Sequence, residues 1–254
     1  MYIGKKRIVI FMVLACGTTW AFNIIHSLFG ITESPLSYLF IVPAILGPAI
    51  AALIVLHKKA PLRDYLKHCF TFEQKFSYYA IFFAFFVWRF LLTMIVGDRV
   101  EGSTVYLPLL LLPICLFTGG FEELGWRGFL QPQMEKKMHA VPAAFIFTAY
   151  WAIWHLPLFF LPIDPRGPFE FFFMLGSFLT MAFTCAAIYK LTNSVLLCVL
   201  LHTWSNALTN TWMPGFSWQT IAGHSLEWLV ALIILILCHK GIIKSAKSIV
   251  CLLL

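Results

Sequence analysis

The sequence has 254 residues, of which 61% are hydrophobic and only 11% are Asp, Glu, Lys or Arg. Soluble domains carry about 25% charged residues, so this chain lacks the polar groups needed to cover a surface in water. The composition excludes an ordinary soluble protein and predicts an integral membrane protein whose solvent is the lipid bilayer. The net charge of +7 does not indicate nucleic-acid binding, because the basic residues lie in short clusters between apolar runs, where they orient a membrane protein.

Eight apolar segments are candidates for membrane-spanning helices, which need about 20 residues each. The first follows Lys5, Lys6 and Arg7, and we interpret it as a retained span because it is too long for the apolar region of a signal peptide. We therefore predict an all-α, polytopic transmembrane helix bundle of about eight spans, with residues 1–254 forming a single membrane domain. In chain order, the predicted spans cover residues 8–29, 36–56, 77–97, 105–122, 141–161, 169–189, 193–210 and 226–243.

The distribution of basic residues favours an even number of spans. With eight spans, fifteen of the 18 Lys and Arg residues fall on one side of the membrane. The positive-inside rule makes that side cytoplasmic, so both termini are expected there, in a membrane that we take to be the bacterial cell membrane. The fifteen residues are Lys5, Lys6, Arg7, Lys58, Lys59, Arg63, Lys67, Lys75, Arg127, Lys136, Lys137, Lys190, Lys240, Lys244 and Lys247.

The seven cysteines are scattered, and they form neither a CxxC pair nor the spacing of a metal finger. The sequence therefore predicts no disulfide framework. The last four residues, which begin at Cys251, formally fit the C-a-a-X prenylation pattern. The same residues are also an ordinary apolar tail, so lipidation of Cys251 is not predicted.

Two adjacent carboxylates, Glu122 and Glu123, lie at the end of the fourth predicted span. A charged side chain at mid-bilayer costs about 2.5–3.5 kcal/mol on insertion scales, so polar residues in such surroundings are candidates for function. Arg127 follows Glu123 by four positions and can pair with it on a helix. Glu122 then points about 100° away and is available to act on substrate or water. The alternative is that these charges only mark the end of a span.

Further polar residues lie in the fifth and seventh predicted spans. A lone histidine such as His155 is more often a structural hydrogen-bonding group than a catalyst. His202 and Asn206 project from one helical face, and by themselves they are explained as an interhelical hydrogen-bonding pair. Together with the carboxylates, these groups are what peptide hydrolysis requires. Glu acts as general base on water, His orients that water or holds a metal, and Asn donates to the developing oxyanion.

These residues carry a resemblance to a known family. The sequence resembles the CAAX protease and bacteriocin-processing (CPBP, or Abi) family, whose pattern is EExxxR, FxxxH and HxxxN, each on its own span. Trp151 stands where the pattern has Phe, an exchange that puts packing in doubt more than chemistry. The resemblance covers about residues 105–210, the predicted catalytic core. The matching residues, in the order of the three motifs, are Glu122, Glu123 and Arg127, then His155, then His202 and Asn206.

The resemblance implies an intramembrane endopeptidase of the CAAX prenyl protease type, with Glu122 activating water and the other motif residues beside it. Family members are often called metalloproteases, and a glutamate-dependent mechanism without a metal is also argued. His155, His202 and a carboxylate can supply three ligands of a zinc site. However, Asn206 is a poor zinc ligand and the sequence has no HExxH motif. We therefore favour water activated by glutamate, with zinc the expected cofactor if a metal takes part.

The expected partners are the lipid bilayer and a substrate held at the membrane, not nucleic acid. Candidate substrates are a membrane-associated peptide, a pheromone or bacteriocin precursor, or a lipid-anchored protein. A non-catalytic membrane partner, such as a bacteriocin self-immunity protein or an envelope scaffold, is the alternative from a different class. The complete set of polar groups favours the peptidase, because a scaffold has no need of it. A small transporter is a third option, but no pair of interrupted spans indicates inverted repeats.

Overall fold

The computed structural model describes residues 4–31, 34–57, 60–163 and 167–244. In this part of the chain, five helices are long and apolar enough to cross a membrane, and up to seven spans result if each of two bent helix pairs counts as one. The protein is therefore an integral, multi-pass membrane protein built as a helix bundle, as predicted. Its orientation stays a prediction, and Lys58, Lys59, Arg166, Lys247 and Cys251 lie outside the described residues.

The secondary structure is almost entirely helical. The helices are α1 (Lys5–Phe29), α2 (Tyr38–Ile45), α3 (Gly47–Leu56), α4 (Leu62–Cys69), α5 (Phe76–Val96), α6 (Leu107–Cys115), α7 (Glu122–Gly125), α8 (Gln131–Glu135), α9 (Ala140–Phe160), α10 (Pro168–Thr192), α11 (Val195–Thr209) and α12 (Trp218–His239). A 3₁₀ turn (Pro35–Ser37) precedes α2, and π-helical turns (Leu116–Gly120 and Trp126–Leu130) lie on either side of α7. Two short strands, β1 (Gly97–Arg99) and β2 (Trp212–Pro214), pair antiparallel.

Each of the eight predicted apolar segments contains a helix, but two of them differ from the prediction in extent. The helical path of the fourth continues beyond residue 122 to Glu135. The eighth begins at Trp218 rather than at 226, because polar residues such as Gln219 and His224 interrupt the apolar pattern of its first turns. The seventh, α11, has 15 residues and is about 22 Å long, less than the roughly 30 Å of the hydrocarbon core.

The bend between α2 and α3 has an identifiable cause in the sequence. The two helices meet at 40°, and Pro48 lies near the start of α3. Proline has no backbone N–H, so the carbonyl of Ala44 loses its usual helical donor. The hydroxyl of Thr19 on α1 donates to that carbonyl at 2.5 Å, and an added Cβ on Gly47 would lie 2.6 Å from the same hydroxyl oxygen. The bend therefore stays hydrogen-bonded inside the bundle.

The two strands are a feature that the sequence analysis did not predict. They connect the end of α5 to the segment after α11, with Gly97 opposite Pro214 and Arg99 opposite Trp212. Strands of three residues are too short to show an alternation of polar and apolar side chains. The pairing fixes the end of α5 against the end of α11, which is the helix that carries His202 and Asn206.

Candidate active site

A break in the helix between α6 and α7 brings the two carboxylates beside α11. The segments Leu107–Gly120 and Glu122–Glu135 meet at 41°, and Thr118 and Gly119 leave helical backbone geometry. An added Cβ on Gly119 would lie 1.9 Å from Asn206 Nδ2, and one on Gly120 would lie 2.1 Å from Thr203 Oγ1. A side chain at either position would displace Asn206 or Thr203, because the turn touches α11 directly.

Glu123 is fully buried and already paired. Its Oε2 lies 2.8 Å from Arg127 Nη1, which donates to Oε1 at 3.1 Å, so the ion pair predicted from the spacing is present. Nδ1 of His202 lies 2.8 Å from the same Oε1. Arg127 also donates through Nη2 to the carbonyl of Ala182 on α10, at 2.9 Å. Glu123 therefore connects α11 to the arginine and is not available as a base.

Glu122 is held from one side by two tryptophans. Its Oε2 accepts hydrogen bonds from Trp126 Nε1 at 3.1 Å and from Trp151 Nε1 at 3.0 Å. Oε1 has no hydrogen-bond partner within the described part of the chain. Hydrogen bonds to a carboxylate are roughly twice as strong as neutral ones. The two indoles therefore fix the orientation of the carboxylate and leave one oxygen for another molecule.

Trp151 makes a contact with Glu122 that its place in the motif does not predict. Trp in place of Phe at this position changes more than packing, because the indole N–H supplies a hydrogen bond to Glu122 that a phenyl ring cannot make. The Trp151 ring also lies edge-on between the two histidines, with its centroid 5.0 Å from His155 and 5.6 Å from His202. The sequence offered a signal only for Trp126, which lies four residues after Glu122.

His155 and Asn206 complete the set of residues that the motifs identify. Nδ1 of His155 lies 2.8 Å from the carbonyl of Trp151, and because a carbonyl only accepts, this nitrogen carries the hydrogen. Asn206 donates to the carbonyl of Thr118 at 3.4 Å. The structure thus joins Glu123 to α11 directly and Glu122 to His155 through Trp151.

The side chains do not fit the three-ligand zinc site considered in the sequence analysis. Among the residues that the structure describes, no three His, Cys, Asp or Glu side chains are grouped as a metal ion requires. The donor chemistry gives the reason. Glu123 is bonded to Arg127 and His202, and Glu122 is bonded to two indoles. His155 and His202 by themselves supply fewer protein ligands than a catalytic zinc site normally has.

The segment that carries the three motifs is similar to a known family. Residues 104–208 match the family described as Type II CAAX prenyl endopeptidase Rce1-like. This segment is Rce1-like. The resemblance predicted from the three motifs is confirmed here, and all six motif residues lie within the match.

A curated relative supports the same assignment. The protein named CAAX prenyl protease 2 from Methanococcus maripaludis is 37% identical over 59 residues, which are 23% of this chain and 21% of the relative. The match therefore spans about a fifth of that protein's length. Helices α1 to α5 and α12 lie outside the Rce1-like segment.

The hydrogen bond from Trp151 to Glu122 can be tested with a matched pair of variants. Trp151→Phe keeps an aromatic ring between the histidines but removes one of the two donors to Oε2. Because a hydrogen bond to a charged group contributes about 1.5–3 kcal/mol, we expect kcat for peptide cleavage to fall at least about tenfold. Trp154→Phe is the control, since Trp154 lies on the same helix, is equally buried and has an indole N–H with no hydrogen-bond partner among the described residues. An equal loss of kcat in both variants would contradict the assigned role.

Proposed function

We propose that this protein is an intramembrane endopeptidase that hydrolyses a membrane-associated peptide or a lipid-anchored protein with water activated by Glu122. One observation carries the proposal. Glu122 is 3% exposed, two indole N–H groups fix one of its oxygens, and the other oxygen has no hydrogen-bond partner in the described residues. A buried carboxylate oriented in this way, held by an indole that packs against two histidines, is suited to general base catalysis.

The proposed reaction needs only water and the peptide. Water bound at Glu122 Oε1 gives its proton to the carboxylate while its oxygen adds to the carbonyl carbon of the scissile bond. The carbon–nitrogen bond of the tetrahedral intermediate then breaks, and the proton passes from Glu122 to the leaving amine. The products are a new carboxylate and a new amine, and Glu122 returns to its starting state.

The remaining motif residues have separate roles in this proposal. His155 and His202 orient the water and the substrate carbonyl, and Asn206 donates from its amide to the oxyanion that forms. Glu123 holds Nδ1 of His202, which fixes the orientation and hydrogen placement of that ring. Arg127 balances the charge of Glu123. No step in this scheme requires a metal.

The names of the relatives suggest the first substrate to test. The matched family is described as a CAAX prenyl endopeptidase, and the curated relative is named a CAAX prenyl protease. A prenylated peptide also enters the bilayer, so it can reach a site that lies inside a helix bundle. We therefore propose a prenylated C-a-a-X peptide as the model substrate.

The assay compares two peptides that differ only in the lipid. The purified protein in detergent or liposomes is incubated with a farnesylated or geranylgeranylated C-a-a-X peptide and with the unmodified peptide, and products are identified by mass spectrometry. We expect cleavage of the prenylated peptide. If the protein cleaves none of three substrates, namely the prenylated peptide, the unmodified peptide and a bacteriocin-type precursor, the proposed function is contradicted.

The same assay tests the metal-free mechanism. Cleavage is expected to persist after treatment with a strong chelator, and elemental analysis of the active protein is expected to show no stoichiometric zinc. Activity that disappears with the chelator and returns on addition of zinc would overturn this part of the proposal and leave the peptidase assignment intact.

A further inference from the structure

A buried ion pair lies outside the Rce1-like segment. Arg89 on α5 donates from Nη2 to Glu227 Oε1 on α12 at 2.6 Å, and the side chains are 10% and 0% exposed. Thr184 on α10 donates to the same carboxylate oxygen at 2.9 Å. Opposite charges buried among apolar helices are expensive to bring together, so they are functional candidates. Neither charged residue belongs to the three motifs.

The ion pair reaches the candidate site through one hydroxyl group. Arg89 Nη1 donates to Ser205 Oγ on α11 at 2.6 Å. Ser205 is the neighbour of Asn206 in the chain and lies less than one helical turn after His202. The planar guanidinium therefore bonds α11 with one nitrogen and α12 with the other. Its two bonds have fixed relative directions, which makes arginine suited to fixing a helix.

A second contact between α5 and α11 lies directly beside the first. The rings of Trp204 and Phe86 stack with centroids 4.2 Å apart and planes 8° apart, and Trp204 Nε1 donates to the carbonyl of Phe86 at 3.0 Å. The strand pairing also holds the ends of these helices together. The contacts of α5 thus hold α11 at the two residues immediately before Asn206.

The candidate site is sensitive to a displacement of α11. Asn206 Nδ2 occupies the space that a side chain on Gly119 would fill, and His202 bonds Glu123 at 2.8 Å. A rotation or shift of α11 would change both contacts at once. We propose that Arg89 and Glu227 are positioning residues, which hold α11 through Ser205 so that His202 and Asn206 stay aligned with the two carboxylates. The proposed consequence for catalysis rests on the proposed function.

The decisive variant removes the link to α11 and leaves the ion pair in place. Ser205→Ala is expected to lower kcat about ten- to hundredfold with little change in KM, because a small misplacement of catalytic groups has effects of this size. Ser205→Thr keeps the hydroxyl group and is expected to restore most of the activity. Direct substitution of Arg89 or Glu227 is less informative, because it leaves a buried charge unpaired and can prevent assembly.

Thr180→Val is the matched control. Thr180 is 2% exposed, and its hydroxyl oxygen lies 2.9 Å from the carbonyl of Gly176 on its own helix and 3.3 Å from the carbonyl of His224, so it also lies in the contact between two helices, α10 and α12. Within the described part of the chain, the Thr180 side chain has no hydrogen bond to Arg89, to Glu227 or to α11. We expect kcat of Thr180→Val to stay near the wild-type value. Equal kcat in the two variants, whether lowered or unchanged, would overturn the proposal.

A second measurement does not depend on activity. Hydrogen–deuterium exchange with mass spectrometry compares the peptide that covers Val195–Thr209 in both variants. We expect faster exchange of this peptide in Ser205→Ala than in Thr180→Val, and equal exchange would overturn the inference that Ser205 holds α11. If the wild-type protein cleaves no peptide, the proposed function fails and exchange still decides whether the ion pair holds α11.

Discussion

Glu122→Gln is expected to abolish peptide cleavage, lowering kcat by at least about 10²–10⁴-fold, because it removes the general base. The change should leave the fold intact. Glutamine has nearly the same shape, and its amide oxygen can accept the hydrogen bonds that Trp126 and Trp151 now donate to Oε2. Cleavage of the prenylated peptide is measured together with the elution profile of the purified protein, so that loss of activity is separated from loss of folding.

A third carboxylate in the same bent segment, that of Glu135, provides the control for this prediction. Glu135 forms an ion pair with Lys190 at 2.6 Å, at a more exposed position than Glu122. Glu135→Gln makes the same chemical change away from the motif residues, and we expect its kcat to stay close to the wild-type value. An active Glu122→Gln protein would refute the assignment of Glu122 as the base, whatever the control shows.

Arg127→Ala is expected to damage folding rather than chemistry alone. The guanidinium is fully buried, pairs with Glu123 and donates to the carbonyl of Ala182. It also lies 4.5 Å from the centroid of the Phe147 ring on α9. Removing one partner of a buried ion pair typically costs about 3–5 kcal/mol, because the other charge remains buried without compensation. We expect a large fall in the melting temperature, measured by tryptophan fluorescence, and a poor yield of folded protein.

A double variant distinguishes the effect of leaving the Glu123 charge unpaired from the effect of losing the packing of the Arg127 side chain. Arg127→Met combined with Glu123→Gln replaces the buried charges with neutral side chains of similar volume. Such replacements are often neutral or stabilising, so the double variant should melt at a higher temperature than Arg127→Ala. It should remain inactive, because His202 loses its bond to a carboxylate. A wild-type melting temperature for Arg127→Ala would show that the ion pair is not needed for assembly.

These two predictions distinguish loss of activity from loss of stability within one motif. Among the residues that the structure describes, only indole N–H groups bond the Glu122 side chain, so Glu122 can lose its charge without leaving another charge unpaired. Glu123 is bonded to an arginine and a histidine on different elements. Substitution of Glu122 should therefore lower the rate of cleavage, whereas substitution of Arg127, the partner of Glu123, should lower the melting temperature.

The sequence by itself determined the class of the protein and the local geometry of its first motif. Scarcity of charge required a bilayer, and apolar runs located the helices, because each depends only on neighbouring residues. The pairing of Glu123 with Arg127 followed from their spacing within one turn and is present in the structure. The order of the three motifs indicated the family over the segment that residues 104–208 now match.

Only the tertiary structure decided which distant side chains meet. The bond from Trp151 to Glu122, the bond between His202 and Glu123, and the contact of Arg89 with Glu227 and Ser205 each join different helices. Such contacts depend on how helices cross and where they bend, and the bend at Gly119 and Gly120 is set by close packing against α11. Periodicity gives the face on which a side chain lies, but the partner of that face is fixed only when the helices pack.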